Sequence, residues 1–162
     1  MSSANPLISI ITVTYNSEKY IEDVILSLKA QKYTNIEWIV VDGNSTDHTV
    51  DIIKQNMDIV SLLLCEPDEG MYDALNKGFE KARGEIGFWL NSDDIIFPWT
   101  CEVIASLFTT QKNCEWVTGL KCNIDKLGTP YPFIPVVYPR WLIKQGYCHG
   151  KAWAFIQQEC TF

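Results

Sequence analysis

The sequence predicts an α/β fold with a mostly parallel central sheet and helices on both faces. Three observations predict it. Runs rich in β-branched residues alternate with apolar stripes at helical spacing, in the order β-α-β-α-β-α-β, and such alternation implies parallel strands joined by crossover helices. A continuous apolar run, Ile86 to Leu90, begins just after Gly84 and stops abruptly at Asn91-Ser92-Asp93-Asp94, as a buried strand does when it leaves a core. The 162 residues are 47% hydrophobic, which excludes a disordered chain and suffices for one domain with a sizeable core.

Leu7 to Tyr15 carries Ile8, Ile10, Ile11, Thr12 and Val13 and reads as the first strand. Asn16 and Ser17 break it. Ser17 is placed to cap a helix whose first turn holds Glu18, with Ile21, Val24, Ile25 and Leu28 on its apolar side. A polar link, Gln31 to Asn35, leads to the second strand, Ile36 to Val41. That strand ends in Asp42-Gly43-Asn44-Ser45-Thr46-Asp47, where Gly43 permits unusual backbone angles and Ser45 or Thr46 can cap the next helix. Asp47 and Asp51 suit that helix's positive end and need no ligand to explain them.

Ile59 to Leu64 reads as the third strand, followed by a loop, Cys65 to Gly70, broken by Pro67 and Gly70. Met71, Ala74, Leu75, Gly78, Phe79 and Ala82 mark one stripe of a third helix, which Gly84 ends. Asp73, Asn76 and Lys77 fall off the stripe. Asp73 and Lys77 are spaced for an ion pair worth about 0.2–0.5 kcal/mol. Asn76, a poor helix former, calls for a specific partner.

Beyond Asp94, Pro98 opens a helix with Val103, Ile104, Leu107 and Phe108 on its buried side. Glu115 to Leu120 reads as a strand and Asp125 to Gly128 as a turn. Pro130, Pro132, Pro135 and Pro139 exclude ordinary helix or central strand. Tyr131, Phe133, Tyr138 and Trp141 in that stretch suit local packing, or else a platform for a sugar or apolar acceptor.

The formal net charge of -7, with no basic stripe, argues against a nucleic-acid partner, which needs lysines and arginines to displace counterions. Cys65, Cys101, Cys114, Cys122, Cys148 and Cys160 form no C-x-x-C pair, and no histidine pattern completes a zinc site. Reduced thiols in a cytoplasmic setting are the simplest reading, and attachment to a membrane's inner face stays compatible with it. Ligands of open α/β sheets bind beyond the strands' carboxyl ends, where Asp42 and Asn91 to Asp94 lie. Two adjacent carboxylates there suit a hard divalent cation that completes its shell with phosphate oxygens. The plainer alternative is an acidic turn.

Ile8 to Asn16 (ISIITVTYN), Val40 to Asp47 (VVDGNSTD), Glu66 to Gly78 (EPDEGMYDALNKG) and Leu90 to Asp94 (LNSDD) together resemble the motifs of the family-2 inverting glycosyltransferases, in order and spacing. The resemblance implies a GT-A-type, Rossmann-like fold that binds a nucleotide-sugar. It implies that Thr14, Tyr15 and Asp42 line the nucleoside pocket, with Asp42 at a pyrimidine ring, often uracil. It places Asp73, Asn76 and Lys77 near base, ribose or phosphates. Asn91-Ser92-Asp93 stands where the family has D-x-D, so Asn91 and Ser92 join the nucleotide site. Asp93, aided by Asp94, becomes the ligand of Mg²⁺ or Mn²⁺, and Asn91 supplies no charge.

Gln157-Gln158-Glu159 resembles the stretch that carries the family's catalytic base, which makes Glu159 the candidate base and Asp93 its catalytic partner at the leaving group. The expected organisation is one continuous domain, with residues 1–97 binding the donor and 98–162 starting an acceptor-side half that is incomplete. The implied activity is transfer of a sugar from a UDP-sugar to a hydroxyl of a glycan or lipid-linked acceptor, in surface polysaccharide or glycan assembly. A nucleotide-sugar-binding module without transfer is the alternative. A dinucleotide-dependent oxidoreductase is excluded by the missing G-x-G-x-x-G after the first strand. The basic, Gly-rich first loop of a nucleotidyltransferase is missing too.

Overall fold

The computed structural model describes residues 5–111, with 114, 117, 123–125 and 129–131. By its internal contacts the chain divides into two compact units, Met1–Glu115 and Trp116–Thr161.

In the first unit, β1 (Ile8–Thr14), β2 (Ile36–Asp42), β3 (Leu62–Cys65) and β4 (Ile86–Trp89) form one sheet in the order β3-β2-β1-β4. All three pairings are parallel, with Thr14 opposite Asp42, Asp42 opposite Cys65 and Ile11 opposite Trp89. Helices α1 (Ile21–Lys29), α2 (Thr49–Lys54), α3 (Met71–Lys81) and α4 (Thr100–Thr110) complete it. The expected α/β class, with helices on both sheet faces, is the one observed.

Alternation along the strands sorts the core into two layers. Ile8, Ile10, Trp38, Val40, Ile86 and Phe88 pack with Val24 and Leu28 of α1, Ile53 of α2, and Cys101 and Ile104 of α4. On the other face, Ile39 and Val41 meet Ala74 of α3. Gly78 lets α3 lie close, because a Cβ there would fall 2.5 Å from Ile11 Cγ2. Trp38 is buried with its indole N–H satisfied, donating to Thr12 Oγ1 at 2.9 Å.

Several local expectations are corrected. The third strand is Leu62–Cys65, not Ile59 to Leu64: Val60 and Ile59 are apolar because they pack on the core from the preceding turn. The stripe on α3 is narrower than its sequence, with Met71 and Phe79 exposed. Gly84 does not cap α3, which ends at Lys81 with Ala82 as its C-cap. It is small because a Cβ would fall 2.4 Å from Ser9 Oγ and 2.7 Å from the Leu7 carbonyl. Val103 is exposed on α4, whose buried residues are Cys101, Ile104 and Ala105.

At the strands' amino ends, Glu37 is buried and saturated with donors. Ser9 Oγ and the Arg83 N–H each donate to its Oε1 at 2.5 Å, and Arg83 Nε donates to Oε2 at 2.9 Å. Burial pulls the carboxyl's pKa up, but the bonds from Ser9 and Arg83 outweigh it and hold it below its ordinary value. A depressed folded pKa means the stabilisation is present above the unfolded value, about 4.3. It is lost as pH falls through the lower folded value. Thermal melts across that acidic window should show the wild type losing more stability than Glu37→Gln, which starts lower and titrates nothing there. Parallel curves would refute the assignment.

In the second unit, β5 (Asn123–Ile124) pairs antiparallel with β6 (Pro130–Tyr131). Asp125 N–H donates to the Thr129 carbonyl at 3.0 Å, and Thr129 N–H to Asp125 Oδ1 at 2.9 Å; of the turn expected over Asp125 to Gly128, only Asp125 is among the described residues. The strand expected over Glu115 to Leu120 and the aromatics Phe133, Tyr138 and Trp141 lie outside the described residues, Val117 excepted.

Candidate functional site

Parallel pairing puts the carboxyl ends of β1, β2 and β4 at one rim of the sheet, and the polar segments that follow them gather there. Asp42, the last residue of β2, has no exposed surface. Thr14 Oγ1 donates to its Oδ2 at 2.8 Å, Ser45 Oγ to the same oxygen at 2.5 Å, and the Ser45 N–H to Oδ1 at 2.8 Å. Tyr15, next to buried Thr14, is 65% exposed and presents its ring outward.

The loops after β1 and β2 are stitched together. Asn16 N–H donates to Ser45 Oγ at 2.8 Å, and Thr46 N–H to Asn16 Oδ1 at 2.9 Å. Glu18 N–H donates to Asp47 Oδ2 at 3.1 Å, and His48 N–H returns a bond to Glu18 Oε2 at 2.9 Å. Asn16 and Asn44 take left-handed backbone angles, φ 50° and 68°, a region asparagine tolerates. Gly43 does not take such angles, contrary to expectation. It makes room, since a Cβ there would sit 2.5 Å from Asp68 Oδ2 and 3.5 Å from the Tyr15 ring.

The capping assignments change accordingly. Asp47, not Ser45 or Thr46, satisfies the start of α2, accepting from Thr49 N–H at 3.0 Å and Thr49 Oγ1 at 2.6 Å. Ser17 caps nothing with its side chain: α1 begins at Ile21 with no side-chain cap, and Ser17 Oγ lies 2.9 Å from Ser92 Oγ. Ser17, Ser45 and Asp68 are thus members of this rim that the sequence reading did not place in the site. For Ser45 the signal was its position three residues after Asp42, the spacing of a side chain that receives its neighbour's backbone N–H.

On α3, Lys77 pairs with Asp73 at 3.0 Å and Glu66 at 3.3 Å, and donates to the Pro67 carbonyl at 2.8 Å. The bond to Lys77 holds Asp73's carboxyl below its ordinary value, and Asp73 in turn raises Lys77. The cation therefore ties the loop before α3 to the helix. Asn76 is exposed and its side chain makes no hydrogen bond with another described residue, so the specific partner expected for it is not found there.

After β4, the Leu90 N–H donates to the Ile11 carbonyl at 2.9 Å and carries the chain to the rim. Trp89 Nε1 donates to Asn91 Oδ1 at 3.1 Å, and Asn91 Nδ2 to Asp94 Oδ2 at 2.9 Å. Asp93 is exposed, and Ser92 and Asp94 are half-buried. Glu159 lies outside the described residues. Among the described residues, no three histidine, cysteine or acidic side chains gather to hold a metal. Asp93 and Asp94 carry adjacent carboxylates, hard oxygen donors that could hold a cation shared with a diphosphate but not one caged by protein alone. Among the described residues no helix is long and apolar enough to cross a membrane.

A parallel sheet with acidic and hydroxyl-bearing loops at its carboxyl rim defines a GT-A-type domain. The chain belongs to glycosyl transferase family 2, whose model matches residues 9–156. It is 39% identical over 97 residues, 58% of this chain and 38% of the relative, to TuaG of Bacillus subtilis, a candidate glycosyltransferase of teichuronic acid biosynthesis. It resembles S. aureus TarS 1–349 solved with UDP-GlcNAc, at 31% identity and TM-score 0.61, over 64% of this chain and 31% of that one. It also resembles the mannosyltransferase PcManGT of Pyrobaculum calidifontis, solved with GDP-Man and Mn²⁺, at 27% identity and TM-score 0.64, over 72% and 36%. The chain thus spans under two-fifths of the length of each of these relatives.

Proposed function

We propose that this chain provides the donor-binding part of an inverting glycosyltransferase that moves a sugar from a UDP-sugar to an acceptor hydroxyl. The observation that carries the reading is the shared rim: Thr14 and Asp42 at the ends of β1 and β2, Tyr15 and Ser45 in the loops that follow, and Asn91 to Asp94 beyond β4. The first group suits a uracil base and the second a diphosphate. Asp73, Asn76 and Lys77, on the helix after the neighbouring loop, complete the nucleotide's surroundings.

The chemistry follows charge. When the bond from sugar C1 to the diphosphate breaks, negative charge grows on the departing oxygen. Asp93, with Asp94, is the residue that would hold Mg²⁺ or Mn²⁺, and such an ion neutralises that charge. Asp93 and Asp94, their charge against the diphosphate offset by that cation, would also fix its place relative to the base at Asp42. Glu159 takes the proton of the attacking hydroxyl, which approaches the sugar's opposite face and inverts C1. The acceptor is a glycan or lipid-linked saccharide, handled in the cytoplasm at the membrane's inner face, in surface polysaccharide assembly. The likeness to TuaG, named for teichuronic acid biosynthesis, supports the polysaccharide part of that reading.

A thermal-shift series with UDP, UDP-GlcNAc, GDP-Man and ADP, each with and without Mn²⁺, tests the donor. Saturation at a hundredfold excess over Kd stabilises by about 2.7 kcal/mol, so uridine nucleotides with Mn²⁺ should raise Tm by several degrees. No response to any nucleoside diphosphate would sink the reading. The second reading is donor binding without transfer. Release of UDP from UDP-GlcNAc with a panel of acceptors separates the two.

A further inference from the structure

At the position where the family has the first carboxylate of D-x-D, this chain has an amide, and its contacts give that amide a defined orientation. An indole N–H only donates and a carboxylate only accepts. Trp89 Nε1, at 3.1 Å, therefore fixes the oxygen of Asn91 toward the indole and leaves its NH₂ facing Asp94 Oδ2 at 2.9 Å. A carboxylate at position 91 would face the Asp94 carboxylate with no proton between them. We infer that Trp89 and Asn91 are positioning residues, an indole-to-amide relay that orients the Asp94 carboxylate for the cation, and that Asn91 is not itself a ligand.

The inference rests on the proposed cation site and deepens it. The amide oxygen is aimed at the indole and so away from the role that the missing carboxylate plays in D-x-D. Trp89 ends β4, whose register with β1 is set by the pair Ile11 and Trp89, so the relay hangs from the sheet and not from a loop. Ser92 is anchored separately, through Ser17 Oγ at 2.9 Å, which leaves the 91–94 turn held at two points.

The test measures Mn²⁺ affinity in the presence of UDP, by electron paramagnetic resonance of free Mn²⁺, for the full chain and two variants. Trp89→Phe keeps the ring and loses the donor, and removal of such an orienting partner typically weakens metal binding about 10–100-fold. Asn91→Asp decides the role: weaker Mn²⁺ binding is expected from a broken relay, whereas tighter binding would show a ligand position and overturn the proposal. Equal affinity in wild type and Trp89→Phe would overturn it as well. Metal-free UDP affinity, measured calorimetrically, should stay unchanged in Trp89→Phe. If wild type itself binds no Mn²⁺ with UDP, the cation site falls, and the relay with it. If wild type binds and the variants match it, the relay alone falls.

Discussion

Asp93→Ala is expected to abolish the gain in UDP affinity that Mn²⁺ brings, and to lower transfer roughly 10²–10³-fold, the size of losing one electrostatic stabiliser of a developing charge. The argument is local. Asp93 is the exposed carboxylate of the 91–94 turn, while its neighbour Asp94 already accepts from Asn91 at 2.9 Å. A surface position of this kind contributes little to folding, so the stability should stay within about 0.5 kcal/mol of wild type. That separation makes the result readable: calorimetry of UDP with and without Mn²⁺ should give two different affinities for wild type and one for the variant. A variant that keeps the metal-dependent gain would reduce Asp93 to a turn residue and move the cation elsewhere.

The sheet was legible because burial imposes simple patterns. Ile8 to Thr14 and Ile36 to Asp42 are seven-residue strands buried almost throughout, and such strands read as apolar runs with little else to confuse them. Errors arose where one residue serves a partner distant in sequence. Ser17 looks like a helix cap because Glu18 and an apolar stripe follow it, yet its hydroxyl meets Ser92, 75 positions away. Gly84 reads as a cap, but it is small because the backbone of Leu7 and Ser9 crowds it, and Gly43 reads as a turn residue, but a Cβ there would displace the Asp68 carboxylate. Sequence periodicity reports the face a residue occupies, not the atom that crowds it. The acidic motif was visible at once; the relay through Trp89 was not, because Trp89 counted as one more apolar residue of its strand.

Asp42 brings stability and recognition into one side chain, and Asp42→Asn should separate them. A carboxylate offers about four lone-pair sites. Thr14 and Ser45 Oγ occupy Oδ2 and the Ser45 N–H takes part of Oδ1, which leaves one site on Oδ1. That site suits the N3–H of uracil, a donor, and not the N3 of cytosine, an acceptor. The base reaches it only if the loop bearing Tyr15 and Ser45 parts, since Asp42 has no exposed surface. Placing an amide NH₂ at Oδ1 turns the free acceptor into a donor and sets it against the Ser45 N–H, donor against donor. The expected cost in stability is about 1–3 kcal/mol, the range for a buried polar group left mismatched. UDP affinity should fall about 10–100-fold, the loss of a hydrogen bond to a charged group, and the preference for UDP over CDP should shrink or reverse. Because both ligands are measured on the same folded variant, a ratio of UDP to CDP affinity unchanged from wild type would leave Asp42 as a brace for Thr14 and Ser45 and nothing more.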